Sequence, residues 1–116
     1  MAIRIYKDII EFGRVIIPWL GVYATTINKP IAALYGLGVS KGALIVKVVP
    51  YSPAYRSGLR PGDIIIRVDN SEIRSAEELS TTIRMHRIGE VIEVEFVRGR
   101  SKKSVRIGLE PPPTIF

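Results

Sequence analysis

The run Ser52-Pro53-Ala54-Tyr55-Arg56-Ser57-Gly58-Leu59-Arg60-Pro61-Gly62-Asp63 leaves the backbone little choice. Ser52 can cap a helix, and Pro53 suits its first position, where no N–H is needed. Ala54 to Ser57 continue that helix. Gly58 supplies the left-handed residue that stops it, and Leu59 the apolar residue that follows in a Schellman ending. Arg60-Pro61-Gly62-Asp63 fits a β-turn with proline second and glycine third. Ile64 to Val68 is then a nearly continuous apolar strand. Asp69-Asn70 forms a hairpin turn tolerant of positive φ, after which Glu72-Ile73 pairs back.

The remaining chain extends this pattern. Residues 3–13 place Ile3, Tyr6, Ile9 and Ile10 at helical spacing and close on Gly13, which predicts a short helix. Arg14 to Ile17 is extended and mostly β-branched, and Pro18 disfavours helix at Ile17. A strand runs from about Leu20 to Ile27. Asn28-Lys29-Pro30 is a turn, and Ile31 to Leu37 a helical turn closed by Gly36 and Gly38. Gly42 to Val49 is a strand. Ser75 opens a second helix, forms a capping box with Glu78, and the helix runs to about Arg87, ahead of Gly89. Val91 to Val97 and Lys103 to Leu109 are strands joined by the tip Arg98-Gly99-Arg100-Ser101. Pro111-Pro112-Pro113 cannot pair in a sheet. Hairpin spacing with two helices predicts an α+β fold, a mostly antiparallel, partly open β-barrel or sandwich of five to six strands. The chain divides into a linker helix and connector (1–16), a domain (17–110) and an extended tail (111–116).

A chain of 116 residues forms one domain of ordinary size. With no cysteine it has no disulfide and no thiolate metal site, and its single histidine, His86, cannot build a His-rich one. No metal or cofactor is expected. His86 has no serine or carboxylate partner in a recognisable motif, and Asp63 and Asp69 read as turn and strand-start residues, so no catalytic residue is assigned. No apolar run approaches the ~18–20 residues that cross a bilayer, and the N-terminus, with Arg4, Lys7 and Asp8, has no signal-peptide core. The formal charge of +6 is spread along the chain and reads as a solvated basic surface. The basic tip Arg98, Arg100, Lys102 and Lys103 lacks the interleaved aromatics that stack on bases, so no nucleic-acid partner is expected.

The stretch Pro18-Trp19-Leu20-Gly21-Val22 carries the chemistry. A bend before a strand can turn several backbone N–H groups outward without partners, and such a nest holds an anion. Gly21 tolerates the angles this needs. A carboxylate held there would lay its peptide along the strand that follows.

With those residues in place, the chain resembles a PDZ domain in the permuted form found in HtrA (Deg-type) serine proteases. The run Ser52 to Asp63 with Ile64-Ile65-Ile66-Arg67-Val68-Asp69 is similar to the family's most recognisable segment. Trp19-Leu20-Gly21-Val22 resembles its carboxylate-binding loop, and Phe12-Gly13-Arg14-Val15-Ile16 the linker from the protease domain. Where many relatives have a basic residue before the loop, this chain has Ile16, Ile17 and Pro18, so Arg14 or Arg87 would have to assist a ligand carboxylate. The resemblance implies a non-catalytic peptide-binding module of an HtrA-like protease. Its groove would lie between the strand bearing Tyr23 and Ala24 and the helix bearing Ala76, Ser80, Ile83, Arg84 and Arg87. N–H groups of Leu20, Gly21 and Val22 would hold the carboxylate. Ile83 would line the pocket for the last ligand side chain, Ser80 would meet the third from the end, and Arg84 or Arg87 would favour acidic residues. Implied partners are C-terminal or unfolded peptide segments with apolar ends and the protease domain of the parent chain; the cell envelope is the implied compartment. The end Thr114-Ile115-Phe116 is itself like a PDZ ligand and suggests self-association. The rival readings are a PDZ domain of another protease or secretion protein, a small basic nucleic-acid binder, and a structural module that joins subunits.

Overall fold

The computed structural model describes residues 15–17, 19–27 and 41–111. The helix expected over 3–13, the turns expected over 28–38 and the tail Thr114–Phe116 lie outside them. The described elements are strands β1 (Val15–Ile17), β2 (Val22–Thr26) and β3 (Ala43–Val48), helix α1 (Pro53–Arg56), strands β4 (Ile64–Val68) and β5 (Ser71–Glu72), helix α2 (Ala76–Arg84), and strands β6 (Val91–Arg98) and β7 (Ser101–Gly108). The strands form one antiparallel sheet in the order β1-β2-β3-β4-β6-β7, with β5 hairpinned onto β4.

The local chemistry read from residues 52–63 is realised bond by bond. The Ser52 hydroxyl accepts from the Tyr55 N–H at 3.2 Å. Gly58 sits at φ +91°. Its N–H donates to the Tyr55 carbonyl and the Leu59 N–H to the Ala54 carbonyl, which is the Schellman pair. The turn closes through the Asp63 N–H on the Arg60 carbonyl, with Gly62 at φ +99°. The Asp63 carboxylate is buried. It accepts from the Arg60 N–H and from both Nε and Nη2 of Arg98, at 2.8–2.9 Å. Arg98 Nη2 also donates to the Gly58 carbonyl, so one ion pair ties turn, helix end and β6 together. Asp63 raises the pKa of the Arg98 guanidinium, which stays charged.

The core follows the periodicities. On β6, Ile92, Val94 and Phe96 face inward at every second residue; on α2, Ala76, Leu79, Ser80 and Ile83 form the buried stripe. Burying each Leu or Ile side chain contributes about 1.5–3 kcal/mol.

Three expectations need correction. Among the described residues the sheet has seven strands where five to six were expected, because the extended segment before the loop pairs as β1. The strand expected from Leu20 begins at Val22, since residues 19–21 form the turn. Helix α2 stops at Arg84. Met85 caps it, and the His86 backbone N–H turns back to the Ile83 carbonyl. A separate turn then joins the Glu90 N–H to the Arg87 carbonyl, with Gly89 at φ +96°. Arg87 is therefore off the helix and exposed.

Candidate peptide-binding groove

The loop before β2 is fixed from behind. The Leu20 carbonyl accepts from the Ala54 N–H at 2.9 Å. The Gly21 carbonyl accepts from the Val49 N–H at 2.8 Å and from the Ser52 hydroxyl at 3.4 Å. Gly21 has φ +89°, and a Cβ there would lie 2.1 Å from the Ser52 Cβ. Only glycine fits a backbone pressed this closely onto the cap of α1. The Leu20 and Gly21 carbonyls are thus committed to the β3–α1 side.

The loop amides are committed elsewhere. The Ile17 carbonyl accepts from the Leu20 N–H at 3.2 Å and from the Gly21 N–H at 2.7 Å. Expecting these amides to be bare was wrong: they already hold an oxygen, supplied by the chain itself. The edge of β2 is not open either. β1 lies antiparallel on it, with Val15 opposite Ala24, Ile16 opposite Tyr23 and Ile17 opposite Val22. The physical reason is local. A β-branched extended run stands just upstream of a turn, and the turn folds it back onto the nearest unpaired strand edge.

Helix α2 packs over β1, β2 and β3. Ile17, Leu20, Val22, Ala24, Ala76 and Ile83 belong to one apolar cluster, each at most 1% exposed. Trp19 is half-buried against that cluster, and Ser80 is buried on the same stripe of α2. The structure therefore gathers Leu20, Val22, Ala24, Ala76 and Ile83 in one cluster with Ile17 of β1, and Gly21 bonds the Ile17 carbonyl. Tyr23 lies half-buried with the Lys47 ammonium 5.6 Å from its ring centre. Arg84 and Arg87 are exposed.

Two residues that matter here were not singled out from the sequence. Thr26 joins the far end of β2 to α2: its hydroxyl accepts from the Ala76 N–H at 2.9 Å and donates to Glu77 at 3.1 Å. This sets the spacing between strand and helix. Ile17 is buried in the apolar cluster with Val22 and Ile83; its signal was the β-branched run Val15-Ile16-Ile17 directly before a turn. At the other end of α2, His86 Nδ1–H donates to the Thr82 carbonyl at 2.8 Å and Nε2–H to Asp69 at 3.2 Å. Two acceptors suit the imidazolium. Burial opposes its charge, but the Thr82 carbonyl, the Asp69 carboxylate and Glu90 outweigh that and raise the pKa above 6.5. Among the described residues no cluster of histidines, cysteines or carboxylates could hold a metal ion.

Known proteins share this fold. Solved structures similar to the chain include the HtrA3 PDZ domain bound to a phage-derived ligand, FGRWV (27% identity, 84% of this chain and 85% of that one, TM-score 0.68). Another is the HtrA-type protease AlgW with a decapeptide (33% identity, 97% of this chain and 35% of that one, TM-score 0.70). Curated relatives include probable periplasmic DegP-like serine endoproteases of Marinomonas sp. and Pseudomonas fulva, 31% and 32% identical over 113 residues. The chain spans 24% of the length of those relatives. The family model for the PDZ domain matches residues 18–109, and the chain belongs to the PDZ domain family.

Proposed function

We propose that this domain captures C-terminal or extended peptide segments with apolar ends, by adding them as a strand to β2 beneath α2. The observation that carries this reading is the segment already there. Val15–Ile17 lies extended and antiparallel on β2, its last side chain in the apolar pocket and its last carbonyl on two loop amides. Strand addition of this kind takes affinity from main-chain bonds and selectivity from the side-chain pockets. A carboxylate in place of the Ile17 carbonyl would make charge-assisted bonds, about twice as strong as neutral ones. The phage-derived ligand of the HtrA3 domain ends Trp-Val, and the segment seated here ends Ile-Ile; both offer an apolar pair.

We assign the domain as a substrate-reading part of an HtrA-like protease, with the protease domain as its covalent partner. Leu20, Gly21 and Val22 act as the carboxylate loop; Ala24, Ala76, Ser80 and Ile83 line the groove. The test is a titration with a short peptide ending in Ile-Ile or Trp-Val, followed by Trp19 fluorescence, beside its C-terminally amidated twin. Saturable binding that weakens at least tenfold on amidation supports the reading. Absence of binding by every apolar-ended peptide, to the unaltered chain and to chains weakened at β1 alike, would overturn it.

A further inference from the structure

We infer that β1 is a resident occupant of the peptide groove, and that an incoming peptide binds by displacing it. The inference rests on the peptide-binding reading and adds its regulation. Four observations place β1 where a ligand would lie. It pairs with the edge of β2 that faces away from β3, in the antiparallel sense. Its last residue stands opposite Val22, the first residue of β2. The Ile17 carbonyl takes both the Leu20 and Gly21 amides. The Ile17 side chain sits in the cluster with Val22 and Ile83, while Ile16 points out and is 53% exposed. Groove and pseudo-ligand are thus complementary, and one site cannot hold two strands.

β1 is also built to leave. Among the described residues it pairs with β2 over three residues, whereas β2 pairs with β3 over five. Its neutral carbonyl is a weaker acceptor for the loop amides than a free carboxylate. Its advantage is covalent attachment, which gives it a high effective concentration at the groove. The peptide therefore binds only the fraction of molecules with β1 released, and its apparent affinity falls by that fraction.

The experiment uses the full chain and the peptide ending in Ile-Ile with a free carboxylate. In hydrogen–deuterium exchange of the unaltered protein, saturation with peptide should strip protection from residues 15–17 while β2 and β3 stay protected. In parallel, Ile17→Ala and Ile17→Ser, which each remove the buried side chain that holds β1 in the cluster, should raise peptide affinity at least threefold. The exchange measurement needs no variant, so it stands if either substitution unfolds the domain. Peptide binding with protection at 15–17 unchanged, or unaltered affinity in folded variants, overturns displacement and leaves the peptide-binding reading intact. If no form of the chain binds peptide, both readings fall together. Binding by the variants but not by the unaltered chain supports displacement most strongly.

Discussion

Strand β2 has two neighbours, and they are held very differently. Toward β3 the ladder runs from Val22 opposite Val48 to Thr26 opposite Ala43, with a bulge at Tyr23/Ala24. Behind it the loop carbonyls are locked to Val49 and Ala54, and the turn below is clamped by Asp63 and Arg98. Toward β1 there are three paired residues and a carbonyl on two amides. Both neighbours bury apolar side chains completely, as Ile45 and Ile17 show. Equal burial therefore does not mean equal permanence. What separates the two sides is how many independent contacts must break together for a strand to leave.

The comparison can be broken at its strongest point first. Gly21→Ala adds a Cβ onto the Ser52 Cβ at a positive φ. It should cost about 3–5 kcal/mol through strain and overpacking, read as a lowered urea midpoint. Next, Ile45→Ala on the β3 side should cost about 2–5 kcal/mol. Asp63→Ala removes the acceptor of the Arg60 amide and the Arg98 guanidinium. Hydrogen bonds to charged groups carry about 1.5–3 kcal/mol, and a loss of that size is expected. Ile17→Ala sharpens the contrast. If β1 can leave while the domain stays folded, its cost is capped at the free energy of docking β1 and falls below that at Ile45. A loss equal to that at Ile45 would show β1 to be a permanent strand.

The smallest effect is a pH dependence at His86. Its folded pKa lies above the unfolded value near 6.5. The charged form is therefore favoured by folding, and the contribution is complete below about pH 6.5 and lost as pH rises through the folded value. Thermal unfolding of the native chain minus that of His86→Gln should show a difference that shrinks from pH 5.5 to pH 8. A difference that grows with pH would contradict the Asp69 and Thr82 contacts.

The parts legible in the sequence are those governed by short-range chemistry. Gly58, Gly62 and Asp69 announce positive φ, and all three adopt it. Ser75 announces a cap, and its hydroxyl accepts the Glu78 N–H at 3.0 Å; the Glu78 carboxylate reaches back to the Arg74 N–H rather than to Ser75. The buried face of α2 follows from helical spacing alone. The end of α2 was harder, because Met85, His86 and Arg87 are compatible with helix and a capping contact from His86 decides. Hardest was the state of the loop amides. Their geometry follows from Gly21, but their partner depends on whether the segment upstream folds back. That is a competition between docking a short strand and leaving it free, and no motif encodes its outcome.

The most direct test of the account is the amide spectrum of Leu20 and Gly21 during titration with an apolar-ended peptide. Both amide protons should move downfield with the free-acid peptide, as a carboxylate replaces the Ile17 carbonyl, and should move far less with the amidated twin. Tight binding that leaves these two resonances in place, or that moves them equally with either peptide, would contradict it.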